Sequence, residues 1–298
     1  MEEEERGGNN SFLEAIRVSS LRIAMKTDGK KLFRIKNPVY LRKKVVLITG
    51  ASSGIGRATA LAFAAMGAYL VIAGRREGAL REVAQQIEAL GGEALVVPTD
   101  VTNQSEVERL INEALKIWGR IDILVVNAGE YVRCPIAELS MTEVERSMAV
   151  NFYGAVSVVL AALPHMRAQG DGHIVLVSSM DGKKGLPFEA PYVAAKSALT
   201  GFGDVLRQEL HGTGIVVSLV LPGRVDTPMI RDLRVPWISA KIPPEKVASA
   251  ILRTIRRRSS VVILPFQVRL FYYLSALFPR LGDWIVRFFH LQGWTTTD

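Results

Sequence analysis

Cysteine is almost absent from this sequence: Cys134 is the only one in 298 residues. A lone thiol excludes a disulfide scaffold and a cysteine metal cluster, and it is typical of a reducing compartment. Histidine is scarce as well, and the four histidines do not pair at the spacing of metal ligands. We therefore predict a cytoplasmic protein without a metal site.

The net charge of +8 lies at the two ends of the chain. Residues 1–43 carry +4, residues 44–250 carry −1 and residues 251–298 carry +5. A nearly neutral middle argues against a nucleic-acid partner, because the working surface of a nucleic-acid enzyme is normally positive. Basic ends beside apolar sequence favour an anionic lipid surface, although ordinary solvated Arg and Lys would give the same pattern.

Short apolar strands alternate with helices from Val45 onward, and 49% of all residues are apolar, which is enough for a full core. The predicted strands are 45–49, 70–73, 94–98, 123–127, 174–178, 216–221 and 261–264. The predicted helices are 57–66, 79–90, 105–118, 142–166 and 193–210, the fourth kinked near Gly154 and Pro164. Strands without alternating polarity are buried on both faces, which indicates a doubly wound α/β fold with a parallel sheet between helices. We expect an N-terminal extension over 1–43, flexible or amphipathic, the α/β domain over 44–264, and an amphipathic helical extension over 265–298.

A glycine-rich turn, TGASSGIG at 49–56, joins the first strand to the first helix. Gly50 permits a tight turn, Gly54 lets the backbone approach a pyrophosphate, and Gly56 allows the helix to pack closely on the sheet. The free N–H groups and the positive dipole end of the helix favour phosphate. The cofactor contacts expected from this turn are Gly50, Ser52, Ser53, Gly54, Ile55 and Gly56.

The end of the second strand discriminates between the two nicotinamide dinucleotides. An NAD site places an acidic residue there for the ribose 2′-hydroxyl, whereas here Gly74 is followed by Arg75 and Arg76. A guanidinium can pair with a 2′-phosphate through two parallel hydrogen bonds. We therefore predict NADP(H) as the cofactor, the alternative being that both arginines lie in solvent or beside a helix start.

Two more strand ends supply candidate cofactor contacts. Asp100 and Val101 follow the third strand, where Asp100 could accept a hydrogen bond from the adenine amino group or cap the next helix. Asn127, Ala128 and Gly129 end the fourth strand, and their small side chains would leave room for a ribose. Asn127 could instead brace neighbouring strands.

Tyr192 and Lys196 lie four residues apart and so share one face of a helix. A free phenol titrates at about pH 10, and a nearby ammonium lowers that pKa, so Tyr192 could exchange a proton with a carbonyl or alcohol oxygen. Lys196 could also hold the nicotinamide ribose. Ser179, with Ser178 as the adjacent alternative, ends a strand at the expected ligand crevice and could hold the substrate oxygen.

Asn151 falls inside the long predicted helix, where asparagine is locally unfavourable. It could bend the helix around a water and so provide a proton path from Lys196 to solvent. The alternative is an incidental polar residue.

In this order and spacing, the motifs resemble those of the short-chain dehydrogenase/reductase family over residues 44–264. The resemblance is carried by the glycine turn, NAG at 127–129, Asn151, Ser179, YVAAK at 192–196, and Pro222-Gly223 with Thr227. It implies a Rossmann-type sheet of about seven strands and reduction of a ketone or aldehyde by NADPH, or the reverse. It also implies a catalytic tetrad of Asn151, Ser179, Tyr192 and Lys196, nicotinamide contacts from Pro222, Gly223 and Thr227, and a homodimer or homotetramer.

The C-terminal sequence is apolar, aromatic and basic. Pro279 divides two stretches at helical spacing, and arginines interrupt each before it reaches the ~18 apolar residues of a spanning helix. Two helices lying on a membrane are expected, as in the membrane-associated lipid-ketone reductases that the tail resembles. They would direct Phe271, Leu274, Phe278, Trp284 and Phe288 toward the acyl chains and Arg269, Arg280 and Arg287 toward the headgroups. A helical lid or a dimer contact is the alternative.

The leading hypothesis is an NADP(H)-dependent oxidoreductase attached to a membrane surface, which reduces a long-chain keto-lipid, a 3-ketoacyl group or a steroid-like ketone. The apolar segment 227–238 supports a lipophilic substrate, although it could simply pack on the core. A soluble reductase of small polar carbonyls and a non-catalytic NADP-binding scaffold are the two alternatives.

Overall fold

The computed structural model describes residues 41–295 and, before them, two short strands, Lys26–Thr27 and Lys30–Lys31, which pair antiparallel. Apart from these strands and residues 41–43, the predicted N-terminal extension lies outside the described residues. The last three residues of the predicted C-terminal extension do so too. The large sheet, its helices and the cavities all fall within residues 41–295.

Seven parallel strands form the large sheet, which confirms the Rossmann-type fold. The strands are β1 (Val45–Thr49), β2 (Tyr69–Gly74), β3 (Glu93–Pro98), β4 (Ile123–Val126), β5 (Gly172–Val177), β6 (Ile215–Pro222) and β7 (Val261–Leu264). Their order in the sheet is β3-β2-β1-β4-β5-β6-β7. Every residue of β1, β4 and β5 is buried, as expected for strands covered on both faces.

Helices cover the sheet and continue beyond its last strand. They are α1 (Gly54–Ala64), α2 (Glu77–Ala89), α3 (Gln104–Trp118), α4 (Met141–Met148), α5 (Gly154–Gln169), α6 (Ala190–Glu209), α7 (Pro244–Arg257), α8 (Phe266–Leu277) and α9 (Pro279–Phe288). Leu110 of α3, Val158 of α5 and Leu199 of α6 belong to one buried apolar cluster with the strands. Helix α1 packs against α7.

Helix α7 is absent from the predicted elements. Pro244 in its first turn and Arg258 in the left-handed conformation at its end mark its bounds, and Val247, Ile251 and Ile255 form a buried stripe along it. The stripe follows ordinary helical spacing, so the signal was present in the sequence.

The long helix predicted over 142–166 is irregular just before Gly154, as expected, but not at Pro164. Between α4 and α5 lies a π-helical segment, Ala149–Tyr153, while Pro164 is accommodated inside α5. The run from Met141 to Gln169 is the one described helix long and apolar enough to cross a membrane. Ala155, Val158 and Ala162 are buried in the core, so the helix serves as a core helix here.

Asp122, just before β4, ties two central strands together at the end of the sheet opposite the strand C-termini. Its buried carboxylate accepts hydrogen bonds from Lys44 Nζ at 2.8 Å, from the Val45 N–H at 2.8 Å and from the Arg120 guanidinium. Burial raises the pKa of this carboxyl, but the hydrogen bonds outweigh burial and the pKa is lowered.

We expect Asp122→Asn to lower the free energy of unfolding by about 1–3 kcal/mol at pH 7, because buried donors lose a charged acceptor. A lowered folded-state pKa gives stabilisation that is fully present above the unfolded value of about 3.9 and is lost as the pH falls through the folded pKa. The difference between wild type and variant should therefore shrink as the pH falls below that value. Asp204→Asn, which removes a more exposed partner of Arg207, is the matched control. Equal urea midpoints for both variants at pH 7 would contradict this role.

Candidate active site

A cleft of about 480 Å³ lies at the carboxyl edge of the sheet, where the strand ends face the loops. Residues following β1, β2, β3, β4, β5 and β6 all line it. In open α/β sheets, ligands bind at this edge. The cleft is therefore the candidate ligand site.

The glycine-rich turn has the tight geometry that its sequence predicts. Gly50 has φ of +66°, and a Cβ there would lie 2.8 Å from the Ala128 backbone. Gly54 lines the cleft at the start of α1, and a Cβ there would lie 2.8 Å from Thr227 Cγ2. A Cβ on Gly56 would lie 2.2 Å from the Gly50 carbonyl oxygen, so this glycine allows the close packing of the helix start that the sequence predicts. Gly56 is not among the residues that line the cleft, and its cofactor contact stays a prediction.

Arg76 lies across this turn. Its Nη2 donates to Ser52 Oγ at 3.2 Å and to Ser53 Oγ at 3.1 Å. Arg75 is exposed and lines the same end of the cleft, next to Gly74. The end of β2 therefore presents two guanidinium groups and a glycine to the cleft, a donor set that fits a phosphate better than a free ribose hydroxyl pair.

The cleft residues after β3 and β4 are held mainly by local hydrogen bonds. Asp100 accepts from the Thr102 N–H and hydroxyl, while Asn103 caps α3. The Thr102 N–H is the main reason why the pKa of Asp100 is lowered. Asn127 donates from Nδ2 to the Thr49 carbonyl at 3.1 Å, which is the bracing alternative. The remaining lining residues expected here are Val101, Ala128 and Gly129.

Asn151 sits at the centre of the π-helical segment and is completely buried. Its Nδ2 donates to the Glu130 carbonyl at 2.8 Å, and its Oδ1 accepts from the Glu130 N–H at 3.1 Å. The same amide also donates to the Ser147 carbonyl at 3.1 Å. These bonds tie the irregular turn to the loop after β4, so Asn151 is not an incidental polar residue.

Lys196 is a buried ammonium of α6 that no carboxylate contacts in the described part of the chain. Its Nζ donates to the Val177 carbonyl at 3.2 Å, and only 4% of the residue is exposed. Burial lowers the pKa of Lys196 to about 8. The group is therefore mainly charged at neutral pH and lies deep in the cleft.

Tyr192 and Ser179 face each other at the other side of the cleft. A hydrogen bond from Ser179 lowers the pKa of Tyr192, but burial and the nearby Asp181 raise it more, and the pKa lies above its ordinary value. This direction is opposite to the expectation from a Tyr–Lys pair, because burial and Asp181 decide it. Lys196 Nζ lies 5.8 Å from the centre of the Tyr192 ring. The raised pKa keeps the phenol protonated at neutral pH and also makes it a weaker acid than a free phenol.

The two adjacent serines have different roles. Ser178 donates to the Lys196 carbonyl at 3.0 Å and lies 3.0 Å from Thr200 Oγ1, so its hydroxyl is used to attach β5 to α6. Ser179 donates to Asp181 Oδ2 at 2.9 Å and lies on the Tyr192 side. Ser179 is the better candidate for holding a substrate oxygen because it lies beside the Tyr192 hydroxyl, and to do so it would turn its proton from Asp181 to the substrate. The nicotinamide contacts expected after β6, Pro222, Gly223 and Thr227, all line the cleft.

Tyr131, Glu189 and Arg224 form a polar cluster that was not predicted from the sequence. Tyr131 and Arg224 line the cleft, and we call this part of it the substrate end. Glu189 is fully buried and accepts from Tyr131 Oη at 2.6 Å and from Arg224 Nη2 at 3.1 Å. Burial and the neighbouring Asp181 raise the pKa of Glu189 to about 7. The one sequence signal was the charged residue directly after Pro222-Gly223.

The backbone of residues 291–293, here called the C-terminal segment, is hydrogen-bonded to this end of the cleft. Arg224 Nη2 donates to the carbonyls of Leu291 at 3.0 Å and Gln292 at 3.1 Å, and Arg133 donates to those of Gln292 and Gly293. A second cavity of about 70 Å³ lies between this segment and α8. It shares Asp181, Gly223 and Arg224 with the large cleft.

Comparison with known proteins identifies the family to which this chain belongs. Residues 44–236 match the family described as short chain dehydrogenase. A ketoacyl reductase of Nostoc is 37% identical over 75% of this chain and 79% of its own length. A dehydrogenase/reductase SDR family protein 7-like protein of Drosophila melanogaster is 34% identical over 82% of this chain and 79% of its own length.

Two solved structures have folds similar to that of this chain. A variant of actinorhodin polyketide ketoreductase with NADPH has a TM-score of 0.71 and 30% identity, covering 74% of this chain and 95% of that one. An alcohol dehydrogenase from Thermococcus sibiricus with 5-hydroxy-NADP has a TM-score of 0.69 and 26% identity, covering 75% and 96%. The chain belongs to the short-chain dehydrogenase family and is an oxidoreductase that uses a nicotinamide dinucleotide.

If Tyr192 is the proton donor, Tyr192→Phe should lower kcat by about 10²–10⁴-fold, the usual contribution of general acid–base catalysis. Cofactor affinity should change little, because the lost hydroxyl faces Ser179 and Asp181. Stopped-flow reduction and fluorescence titration of the cofactor measure the two effects. Tyr69→Phe, at a tyrosine that stacks on Trp118 at the start of β2, is the control. A kcat within a few-fold of wild type would assign proton donation to another group.

Proposed function

We propose that this protein is an NADP(H)-dependent ketone reductase that acts on a lipophilic substrate at a membrane surface. The observation that carries the proposal is the single cleft that brings Ser179, Tyr192 and Lys196 together with Arg75 and Arg76. A binding scaffold would not need the pair of a half-buried Tyr192 and a buried Lys196. The cofactor, when bound, supplies the hydride.

The residues of the cleft divide the remaining work. Ser179 holds the carbonyl oxygen, and Tyr192 donates a proton to it as the alcohol forms. Lys196 orients the nicotinamide ribose and keeps positive charge near the phenol. Asn151 holds the π-helical segment against the Glu130 backbone, beside Gly129.

The preference for NADP(H) rests on the end of β2. Gly74 stands where an NAD site needs a carboxylate, and Arg75 and Arg76 line the cleft beside it. The actinorhodin polyketide ketoreductase and the Thermococcus alcohol dehydrogenase are described with NADPH and 5-hydroxy-NADP respectively, which supports the same choice.

Replacing Arg75 and Arg76 together by Ala should raise the KM for NADPH about tenfold or more, since hydrogen bonds to charged groups contribute about 1.5–3 kcal/mol. The KM for NADH should change much less, because NADH has no 2′-phosphate. Arg81→Ala, which removes an exposed arginine paired with Glu77 on α2, is the control and should change neither constant. An equal rise for both cofactors would contradict the assignment.

Exposed apolar side chains occur in the segment between β6 and α7. Met229 lines the cleft and is 48% exposed, and Trp237, further along this segment, is 84% exposed. Large exposed apolar side chains bordering a ligand cleft indicate contact with an apolar ligand or surface. The ketoacyl reductase name of the Nostoc relative is consistent with an acyl substrate.

Helices α8 and α9 each expose apolar side chains at spacings of three and four residues, and these side chains together are called the stripe. Its members are Phe266, Leu270, Tyr273 and Leu277 on α8 and Leu281, Trp284 and Phe288 on α9. Of the five residues predicted to face acyl chains, Phe278, Trp284 and Phe288 are exposed. Phe271 and Leu274 are half-buried, because that face of α8 packs toward the domain. The stripe is the face available to a membrane.

Exposed arginines accompany the stripe. Arg269, Arg280 and Arg287 are exposed, and Arg269 lies 4.9 Å from the centre of the Phe266 ring. Apolar burial and attraction to anionic headgroups together give interfacial binding. We therefore place the protein on the cytoplasmic surface of a membrane, with the stripe inserted and the cleft opening beside it.

We expect Leu277→Glu with Trp284→Glu to abolish flotation with vesicles of phosphatidylcholine and phosphatidylserine, because both changes put charge into the acyl boundary. Wild-type binding should rise with the phosphatidylserine fraction and fall with salt. Point changes are preferable to truncation at Pro265, which would also remove the carbonyls that Arg224 binds. Ile117→Glu, at an exposed position of α3, is the control. Undiminished flotation of the double variant would exclude the stripe and make residues 11–25 the better candidate.

A second copy of the chain is the proposed protein partner. Tyr153, Leu160 and Val205 are large apolar residues exposed on the helical run that includes α5 and on α6. Pairing through these helices would bury them in a homodimer.

A further inference from the structure

Glu189 is the residue at which the helix of Tyr192 and Lys196 begins. It is the N-cap of α6, and its carbonyl accepts from the Val193 N–H at 2.8 Å, so Tyr192 lies in the first turn after it. The residue is fully buried, and glutamate is almost never fully buried unless it is paired. Glu189 is not among the residues that line the large cleft or the small cavity. Any effect of its carboxylate on the reaction must therefore pass through its neighbours.

Both hydrogen bonds to this carboxylate converge on one oxygen. Glu189 Oε1 accepts from Tyr131 Oη at 2.6 Å and from Arg224 Nη2 at 3.1 Å, while Oε2 is buried and has no hydrogen-bond partner in the described part of the chain. Tyr131 lies in the segment after β4 and Arg224 in the segment after β6. Arg224 is itself bonded to the carbonyls of Leu291 and Gln292. The Tyr131 hydroxyl thus has a buried acceptor that is held in place from several sides.

The ring of Tyr131 packs in turn against the ring of Tyr192. The two ring centres are 5.2 Å apart and the ring planes are inclined at 74°, the edge-to-face arrangement that aromatic pairs prefer. The charge of Glu189 also contributes to the raised pKa of Tyr192, after burial and Asp181, so the carboxylate lies near the phenol. The contacts therefore run from Glu189 through Tyr131 to Tyr192.

Proton donation depends on where the Tyr192 hydroxyl lies. A displacement of about 1 Å, caused by a change outside the reacting groups, can lower a rate about a hundredfold. Ser179 is hydrogen-bonded to the Tyr192 hydroxyl, and the Tyr131 ring lies against the Tyr192 ring. Loss of the Tyr131 contact would leave the Tyr192 ring free to turn away from the substrate oxygen.

We propose that Glu189 is a positioning residue: by binding the Tyr131 hydroxyl, it keeps the Tyr131 ring against Tyr192 and so places the hydroxyl that donates the proton. This inference rests on the proposed ketone reductase function. It gives Glu189 no contact with substrate or cofactor, so changes at Glu189 should act on kcat and not on cofactor affinity.

The test compares Glu189→Leu, in which Tyr131 loses its acceptor, with Glu189→Gln, whose amide oxygen still accepts from a hydroxyl. Glu189→Leu should lower kcat for reduction of a ketone about tenfold to a hundredfold and leave the Kd for NADPH unchanged. Glu189→Gln should recover most of the lost kcat. Glu209→Leu, at an exposed position at the other end of α6, is the control. A weaker Kd for NADPH in place of a lower kcat would overturn the proposal.

Combination with Tyr192→Phe separates positioning from general damage to the fold. If Glu189 acts through the Tyr192 hydroxyl, Glu189→Leu should hardly lower the residual rate of Tyr192→Phe, because the group that it positions is already missing. An equal fold-loss in both backgrounds would refute the positioning role. If Glu189→Leu does not fold, Tyr131→Phe, which keeps the ring and loses only the hydroxyl, takes its place in the same cycle under the same criterion.

NMR of isotope-labelled tyrosine rings is independent of turnover. The Tyr192 signal, identified by its loss in Tyr192→Phe, should shift in Glu189→Leu, because the neighbouring Tyr131 ring moves, and should return toward its wild-type position in Glu189→Gln. An unmoved signal in Glu189→Leu would contradict the proposal. If wild type reduces no ketone but this shift is found, the proposed reductase function fails while the positioning of Tyr192 by Glu189 stands.

Discussion

The buried ammonium of Lys196 is the constraint around which the cleft is arranged. A charge removed from water needs compensation, and in the described residues it receives only the Val177 carbonyl at 3.2 Å. Asn151, in the π-helical segment, is hydrogen-bonded to the Glu130 backbone. Both Asn151 and Lys196 Nζ lie beside Gly129. The rest of its compensation would come from a bound anionic cofactor. Burial thus makes Lys196 a suitable partner for a dinucleotide.

The polar cluster of Tyr131, Glu189 and Arg224 connects the cleft to the C-terminal segment. Arg224 bonds simultaneously to Glu189 and to the backbone of the C-terminal segment, and Arg133 adds two more bonds to that segment. Helix α9 is also joined to the loop after β5 by the ion pair of Lys184 with Asp283. These bonds therefore hold helices α8 and α9, which carry the apolar stripe, close to the substrate end of the cleft. A membrane contact at the stripe and substrate entry at the cleft would occur on neighbouring surfaces.

The sequence predicted the sheet and the glycine turn well because both depend on local patterns. Apolar strands and a glycine with φ of +66° leave direct traces in residue type. The cluster of Asp181, Glu189 and Arg224 left no such trace, since its members come from separate loops and meet only in the folded chain. The pKa direction of Tyr192 was mispredicted for a related reason: spacing places Lys196 on the same helix face, but burial and Asp181 decide the titration.

The central claim is that hydride reaches a substrate carbonyl in this cleft. The most direct measurement is the reduction of a long-chain ketone with NADPH deuterated at C4 of the nicotinamide, with mass spectrometry of the alcohol. The account predicts an alcohol with deuterium on the carbinol carbon, formed with wild type and nearly absent with Tyr192→Phe. An alcohol without deuterium, or equal labelled product from both proteins, would contradict it.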